Sequence, residues 1–132
     1  MQLLAVAAGQ RAGVDHELHR QGRVIDLDGV INQIEGGALQ SISWTLKEAV
    51  AFDRRRVLTR TWADHPILRF SEIPNVTVHV IDRPELPSLG SGEAAQGPVA
   101  AALANALFQA LGVRVRQLPL NTEHILAALH QS

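Results

Sequence analysis

The stretch that most constrains this chain is a loop rich in glycine and proline, residues 86–98, that runs directly into an apolar repeat. Three glycines surround a single central carboxylate, that of Glu93. Glycine gives the backbone access to positive φ and lets it approach a ligand closely. Pro98 suits the first helical position, because its missing N–H would have no partner there. We therefore expect Glu93 on a tight loop before a helix N-terminus, an arrangement that suits a catalytic acid or base.

Three apolar repeats predict helices, two of them long. The run after the loop has apolar residues at steps of four and a stop at Gly112: Val99, Leu103, Leu107 and Leu111, joined by Ala104 and Phe108. Residues 30–52 carry a second such repeat, which predicts a long amphipathic helix: Ile34, Ala38, Ile42, Leu46 and Val50. A short last helix is expected after a cap at Asn121 or Thr122, with an apolar side made of Ile125, Leu126 and Leu129.

Short strands are predicted where apolar and polar residues alternate. The clearest case is Val76–Ile81, in which the valines would face inward and His79 would be exposed. Val24-Ile25 and Val113–Arg116 are two shorter candidates. The predicted fold class is therefore α+β: two main helices and a short C-terminal helix, packed with a few short strands.

Composition excludes several classes of function. The 132 residues suit one domain and contain no cysteine, so this chain offers no disulfide, thiolate metal site, iron–sulfur ligation or cysteine nucleophile. A net charge of −1 gives no overall field for nucleic acid or a membrane surface, so neither partner is predicted. No segment approaches the ~18 apolar residues of a membrane span, and residues 1–8 lack the basic region of a signal peptide. Cytoplasmic residence is the default expectation.

Three local patterns leave alternatives open. His16 and His19 could share one helix face as zinc ligands do, but no third ligand lies nearby, and a solvated segment is the simpler interpretation. No metal site is predicted. Arg54–Arg56 could clamp an anion or form a solvated turn. Gly36-Gly37, within the predicted first helix, could allow close approach of a ligand or form a notch for helix packing.

Two stretches resemble a known enzyme family: residues 30–41, with the sequence VINQIEGGALQS, and the loop from Gly90 to Pro98 with its alanine-rich helix. Together with Ser43–Glu48 and Leu68–Phe70, they resemble the C-terminal end of the molybdenum-cofactor-binding subunit of the xanthine dehydrogenase and aldehyde oxidase family. The loop is most similar to the bacterial isoquinoline and nicotinate dehydrogenase type. The resemblance implies that residues 23–132 are a C-terminal fragment of a molybdopterin-binding oxidoreductase domain. Residues 1–22 have no clear assignment.

The resemblance also implies a chemistry. Enzymes of this family hydroxylate a carbon of an aldehyde or an N-heteroaromatic compound, with water as the oxygen source. Glu93 corresponds to their general-base glutamate, Gln33 to a glutamine near the pterin cofactor, and Gly92 to a point where the backbone comes close to the metal's ligands. Gly36-Gly37 would be a closely packed part of the cofactor domain. Two simpler roles remain open, since Gln33 could satisfy backbone in a turn and Glu93 could cap the helix.

The chain also departs from the family. A family subunit is several times longer, and its glycine-rich cofactor loops and most substrate-pocket residues lie upstream. The expected function is thus a piece of a molybdenum hydroxylase that is not active alone, completed by the rest of the large subunit and, in a full complex, by an iron–sulfur subunit. One alternative is a non-catalytic remnant or accessory subunit that forms homo-oligomers. Another is an anion or nucleotide binder, although the loop lacks the G-K-[ST] ending of a phosphate loop.

Overall fold

The computed structural model describes residues 22–81 and 83–131. These residues form three α-helices and one 3-10 turn: α1 Leu27–Leu46, the turn Phe70–Glu72, α2 Gln96–Leu111 and α3 Thr122–His130. Helices α1 and α2 pack against each other. No helix in this part of the chain is long and apolar enough to cross a membrane. The histidine pair considered as zinc ligands, His16 and His19, lies outside the described residues.

Helix α1 is shifted from the predicted span of residues 30–52. It starts earlier because Asp26 is its N-cap, and the Asp26 carboxylate accepts the Gly29 N–H at 3.1 Å. It ends at Leu46, so Val50 lies beyond the helix and is 54% exposed. Near this end the Thr45 carbonyl accepts the Leu120 N–H at 2.6 Å, a contact that the local pattern could not predict.

Helices α2 and α3 have the predicted caps. Gly112 follows α2 with a φ of 74° and donates its N–H to the Phe108 carbonyl at 2.8 Å, which confirms it as the stop. The side chain of Asn121 accepts the His124 N–H at 2.9 Å and caps α3. Helix α2 begins at Gln96, so Pro98 is its third residue instead of its first. This position also tolerates proline, because N–H groups of the first turn have no partner within the helix.

The core lies between α1 and the chain around α2, in two apolar clusters. The first joins Ile34 and Ala38 of α1 to Ala95, and Val76 and Val78 pack against it. The second cluster holds the larger side chains: Ile42, Leu103, Leu107 and Leu120, flanked among others by Leu68, Val115 and Ile125. Most of the predicted apolar positions are thus in the core. The exposed exceptions are Val50, beyond the end of α1, and three leucines that are 38–49% exposed: Leu111, Leu126 and Leu129.

The predicted strands are wrong. The described residues contain no strand, only an isolated antiparallel bridge between Phe52 and Val57, so this part of the chain is helical instead of α+β. The alternation predicted for residues 76–81 does appear as alternating burial, with exposed His79 confirmed. A strand also needs a neighbour for its backbone, and these residues have no backbone hydrogen bond to other described residues. The same is true of Val113–Arg116, and Ile25 of the first candidate is 88% exposed.

Candidate functional site

A polar stripe on α1 holds the glycine loop. The Gln33 side chain donates from Nε2 to the Gly92 carbonyl at 2.9 Å. Two turns further on, Gln40 Oε1 accepts Gln96 Nε2 at 3.0 Å, and the buried Ser41 hydroxyl donates to the Gln96 carbonyl at 2.7 Å. Gln33, Gln40 and Ser41 stand at i, i+7 and i+8, so they share one helix face. This face fixes the loop to α1 at both ends of residues 92–96.

The close contact between the two parts is made at Gly37, the i+4 position of the same stripe. A Cβ on Gly37 would lie 3.7 Å from Ala95 Cβ and 3.7 Å from Gln96 Cγ, which is ordinary van der Waals contact. A Cβ on Gly36 would meet nothing within 4 Å, and Gly36 is exposed. The expectation of close packing at the Gly36-Gly37 pair is therefore right for Gly37 and wrong for Gly36.

Glu93 sits on a backbone that is held on both sides. Gly92 before it is bonded to Gln33, and the Glu93 carbonyl itself accepts the Gln96 N–H at 3.2 Å. Its side chain is exposed and has no hydrogen bond or ion pair with another described residue. The N-cap of α2 is Ala95, without a side-chain cap, so Glu93 does not cap the helix. The loop therefore presents a carboxylate to solvent from a fixed backbone position.

The glycines of the loop are not required by the chain's own geometry. Gly90, Gly92 and Gly97 do not have positive φ, so the loop does not use that freedom of glycine. A Cβ at each of them would meet no heavy atom within 4 Å. At Gly92 this open space lies beside Gln33 and Glu93, the other two predicted site residues. A side chain at Gly92 would fill room that is now open to a ligand or to another part of a larger protein.

A second polar cluster ties the segment after α1 back to that helix. Glu72 pairs with Lys47 at the end of α1, and this contact, with the Arg69 N–H, lowers the pKa of the Glu72 carboxyl below its usual value. His65 contacts the Glu48 carboxylate at 3.3 Å and the Ala49 carbonyl at 3.2 Å. Within residues 22–81 and 83–131, no group of three or more His, Cys, Asp or Glu could hold a metal ion. This cluster is best explained as a structural tie.

The arginines considered as an anion clamp form an exposed turn. Asp53 Oδ1 accepts the N–H groups of Arg55 and Arg56 at 2.7 and 2.9 Å, and all three arginine side chains are exposed. A carboxylate at the centre of the turn disfavours an anion at this point. The solvated interpretation is the one that the geometry supports.

Sequence reasoning missed the residues that position the loop: Gln40, Ser41, Ala95 and Gln96. The signal was present in the spacing of α1, where small and polar residues at i, i+4, i+7 and i+8 border the apolar face. Such a stripe indicates that a second element packs on that side of the helix. It does not indicate which element, because that contact spans more than fifty residues of sequence.

Comparison with known proteins identifies the family. Residues 17–74 match the family described as "Molybdopterin cofactor-binding domain". Over 111 residues, 84% of this chain, the sequence is 44% identical to a nicotinate dehydrogenase subunit of Pseudomonas putida KT2440. The chain belongs to the molybdopterin-binding xanthine dehydrogenase family. The resemblance stated from residues 30–41 and the glycine loop is thereby confirmed, as is a molybdenum–pterin cofactor as the group that the family binds.

Two further relatives agree with this assignment. The beta subunit of isoquinoline 1-oxidoreductase from Brevundimonas diminuta is 29% identical over 99 residues, which are 75% of this chain. The crystal structure of quinoline 2-oxidoreductase from Pseudomonas putida 86 superposes with a TM-score of 0.63 and 28% identity over 76% of this chain. The chain spans only 9%, 12% and 14% of the length of these three proteins. Two of them, the nicotinate dehydrogenase and isoquinoline oxidoreductase chains, are named as subunits and so belong to multi-subunit assemblies.

Proposed function

We propose that residues 23–132 form the C-terminal part of a molybdopterin-binding domain in the large subunit of a molybdenum hydroxylase, and that they act only with the rest of that subunit. In this proposal Gln33 and Gly92 border the cofactor and Glu93 is the general base. The family resemblance gives an aldehyde or an N-heteroaromatic compound as the substrate class, and the relatives named for nicotinate and quinoline support an N-heteroaromatic compound.

One observation carries this proposal: the hydrogen bond from Gln33 to Gly92, between residues 59 apart in sequence. Both were predicted as cofactor-binding from separate motifs, and they meet directly beside Glu93. The bond leaves Gln33 Oε1 without a partner among the described residues, so it remains available as an acceptor. The open space at Gly92 supports the same arrangement, because a cofactor edge could approach the backbone there.

These residues fit the cofactor as one wall of its site. When bound, the molybdenum–pterin group supplies the two-electron oxidation of the substrate carbon. Glu93 would accept the proton of the attacking water-derived nucleophile as the new C–O bond forms, a role worth typically 10²–10⁴-fold in rate. Anchoring on both sides of Glu93 fixes the backbone position from which its carboxylate would reach the reacting atoms, which favours positioned catalysis. The remaining walls would come from the upstream part of the subunit.

A chimera tests the role of Glu93. The matched segment of the Pseudomonas putida nicotinate dehydrogenase subunit is replaced by this chain, and the rate of nicotinate hydroxylation is measured with the molybdenum content. Glu93→Gln should lower kcat at least about a hundredfold and leave molybdenum unchanged. The matched control is Glu123→Gln, an exposed glutamate in the first turn of α3, which should keep the rate. Equal rates for Glu93→Gln and its parent would remove Glu93 from the mechanism.

A second candidate function is a non-catalytic module that associates with itself. The favouring observation is the number of large apolar side chains left half or more exposed, since wide apolar patches mark contact surfaces: Ile25, Leu27, Val50, Phe52, Val57, Trp62, Phe70, Leu89 and Leu118. Sedimentation of the chain alone over a range of concentrations tests it. A defined oligomer that binds no molybdenum would favour this candidate over the enzyme fragment.

A further inference from the structure

The extended segment of residues 76–80 has the features of a strand without a neighbour. Val76, Val78 and Val80 are half-buried, whereas Thr77 and His79 are exposed, so successive side chains point to opposite faces. Four of the five residues are β-branched, a composition that is typical of strands. None of their backbone N–H or C=O groups has a backbone hydrogen bond within the described part of the chain. The segment is therefore shaped for a sheet that the described residues do not contain.

The packing of this segment decides where a neighbour can bind. Val76 and Val78 pack on the cluster of Ile34, Ala38 and Ala95, so one face of the segment is covered by the chain itself. In a strand the backbone N–H and C=O groups point sideways, and they alternate between the two edges. Since no group on either edge is paired with a described residue, both edges are open within residues 22–81 and 83–131. Open edges of this kind accept an added strand through backbone hydrogen bonds.

We propose that residues 76–80 pair with a β-strand from the remainder of the longer subunit, so that this segment becomes a strand of a sheet built from both parts. This inference rests on the proposed function, because it takes the rest of the subunit as the partner. The chain spans only 9% of the nicotinate dehydrogenase relative, so most of such a subunit is available to supply strands. A second copy of the chain fits less well, because pairing across a two-fold axis covers only one of the two open edges.

The same pattern recurs at Val113–Arg116. Val113 and Val115 are half-buried, Arg114 and Arg116 are exposed, and their backbone groups also lack backbone partners in the described ranges. Val115 packs on the second core cluster. One two-fold contact with a second copy of the chain would pair the backbone groups of only one of these two segments. They agree with a larger sheet in the complete subunit.

Hydrogen exchange tests the proposal. The amides of residues 77–80 are followed in the isolated chain and in the nicotinate dehydrogenase chimera. We expect exchange at least about a hundredfold slower in the chimera, because paired strand amides exchange only through opening of the sheet. Equal, fast exchange in both proteins would overturn the proposal. Slow exchange in the isolated chain that disappears on dilution would also overturn it, by identifying a second copy as the partner.

Proline variants at the exposed positions sharpen the test. Thr77→Pro and His79→Pro remove one N–H each and leave the half-buried valines in place, whereas Thr77→Ala and His79→Ala keep the N–H and serve as matched controls. In the isolated chain, proline and alanine variants should melt alike, since these N–H groups have no backbone partner among the described residues. The N–H groups of residues 77 and 79 lie on the same edge of the segment, so in the chimera both proline variants should lose the protection about tenfold or more when that edge is the paired one. Full protection in both proline variants would contradict strand pairing at that edge.

The outcomes separate this inference from the proposed function. Protected amides in a chimera that carries molybdenum but is insensitive to Glu93→Gln would uphold the strand and reject the catalytic role. Normal activity of a chimera whose amides at residues 77–80 are unprotected would uphold the proposed function and reject the strand.

Discussion

Two hydroxyls buried on α1 give opposite predictions for stability. Ser41 and Thr45 lie one turn apart and are both 0% exposed. The Ser41 hydroxyl donates to the Gln96 carbonyl, whereas Thr45 Oγ1 has no hydrogen-bond partner among the described residues. A buried polar group without a partner carries its full desolvation cost, about 1–3 kcal/mol. Thr45→Val exchanges this hydroxyl for a methyl group of nearly the same shape and should relieve that cost.

The magnitudes follow from these environments. Valine and threonine have similar helix propensities, so we expect Thr45→Val to raise the free energy of unfolding by about 1–2 kcal/mol. Ser41→Ala loses a hydrogen bond worth about 1 kcal/mol and regains roughly half of it through the helix propensity of alanine. It should therefore lower the free energy of unfolding by about 0.5–1 kcal/mol. The loss should be felt at the α1–α2 contact, which that bond helps to hold.

Urea denaturation followed by circular dichroism measures both variants, with the slope m as a check that the unfolding reaction is unchanged. Thr45→Ser is the matched control, because it keeps the hydroxyl and removes only the methyl group. Its midpoint should fall below that of the parent chain. If Thr45→Val is less stable than the parent, the hydroxyl has a stabilising role and the reasoning is refuted.

Three further predictions concern the two glycines of α1, Gln33 on the same helix and the turn at residues 60–64. Gly36→Leu should leave the free energy of unfolding unchanged or raise it by up to ~1 kcal/mol, because the position is open. Gly37→Leu should lower the free energy of unfolding by about 1–3 kcal/mol, because the larger side chain overpacks against Ala95. Equal thermal shifts for the two variants would contradict this. In the chimera, Gln33→Leu should lower the molybdenum content. Metal analysis that finds as much molybdenum as in the parent chimera would show that Gln33 does not help to hold the cofactor. The Asp64 carboxylate accepts N–H groups of Arg60 and Thr61 and the Thr61 hydroxyl, which lowers its pKa. The Asp64 hydrogen bonds should therefore stabilise this turn at pH values above the unfolded-state pKa of about 3.9, and this stabilisation should be lost as the pH falls through the lower pKa of the folded state. An NMR titration of Asp64 with a midpoint at or above about pH 3.9 would contradict it.

The helices could be predicted because their information is local. Steps of four placed Ile34, Ala38 and Ile42 on the buried face of α1, and Gly112 was recognised as the stop of α2. The ends of α1 could not be predicted from apolar spacing. They depend on the cap at Asp26 and on a carbonyl of the last turn bound to Leu120.

The strands failed for a different reason. Alternation in residues 76–80 predicted correctly which side chains are buried, because burial depends on the segment's own pattern. Strand formation depends on a neighbour that the described chain does not supply. For the site, the resemblance selected Gln33, Gly92 and Glu93, but only the folded chain brings Gln33 and Gly92 into contact. The residues that hold the loop, such as Ser41 and Gln96, came from the structure alone.

Molybdenum analysis of the chimera and of the isolated chain tests the central claim most directly. The claim is that this chain supplies one wall of a molybdopterin site and needs the rest of the subunit to complete it. It predicts close to stoichiometric molybdenum in the folded chimera and none in the isolated chain. A folded chimera without molybdenum, or an isolated chain that holds molybdenum by itself, would contradict it.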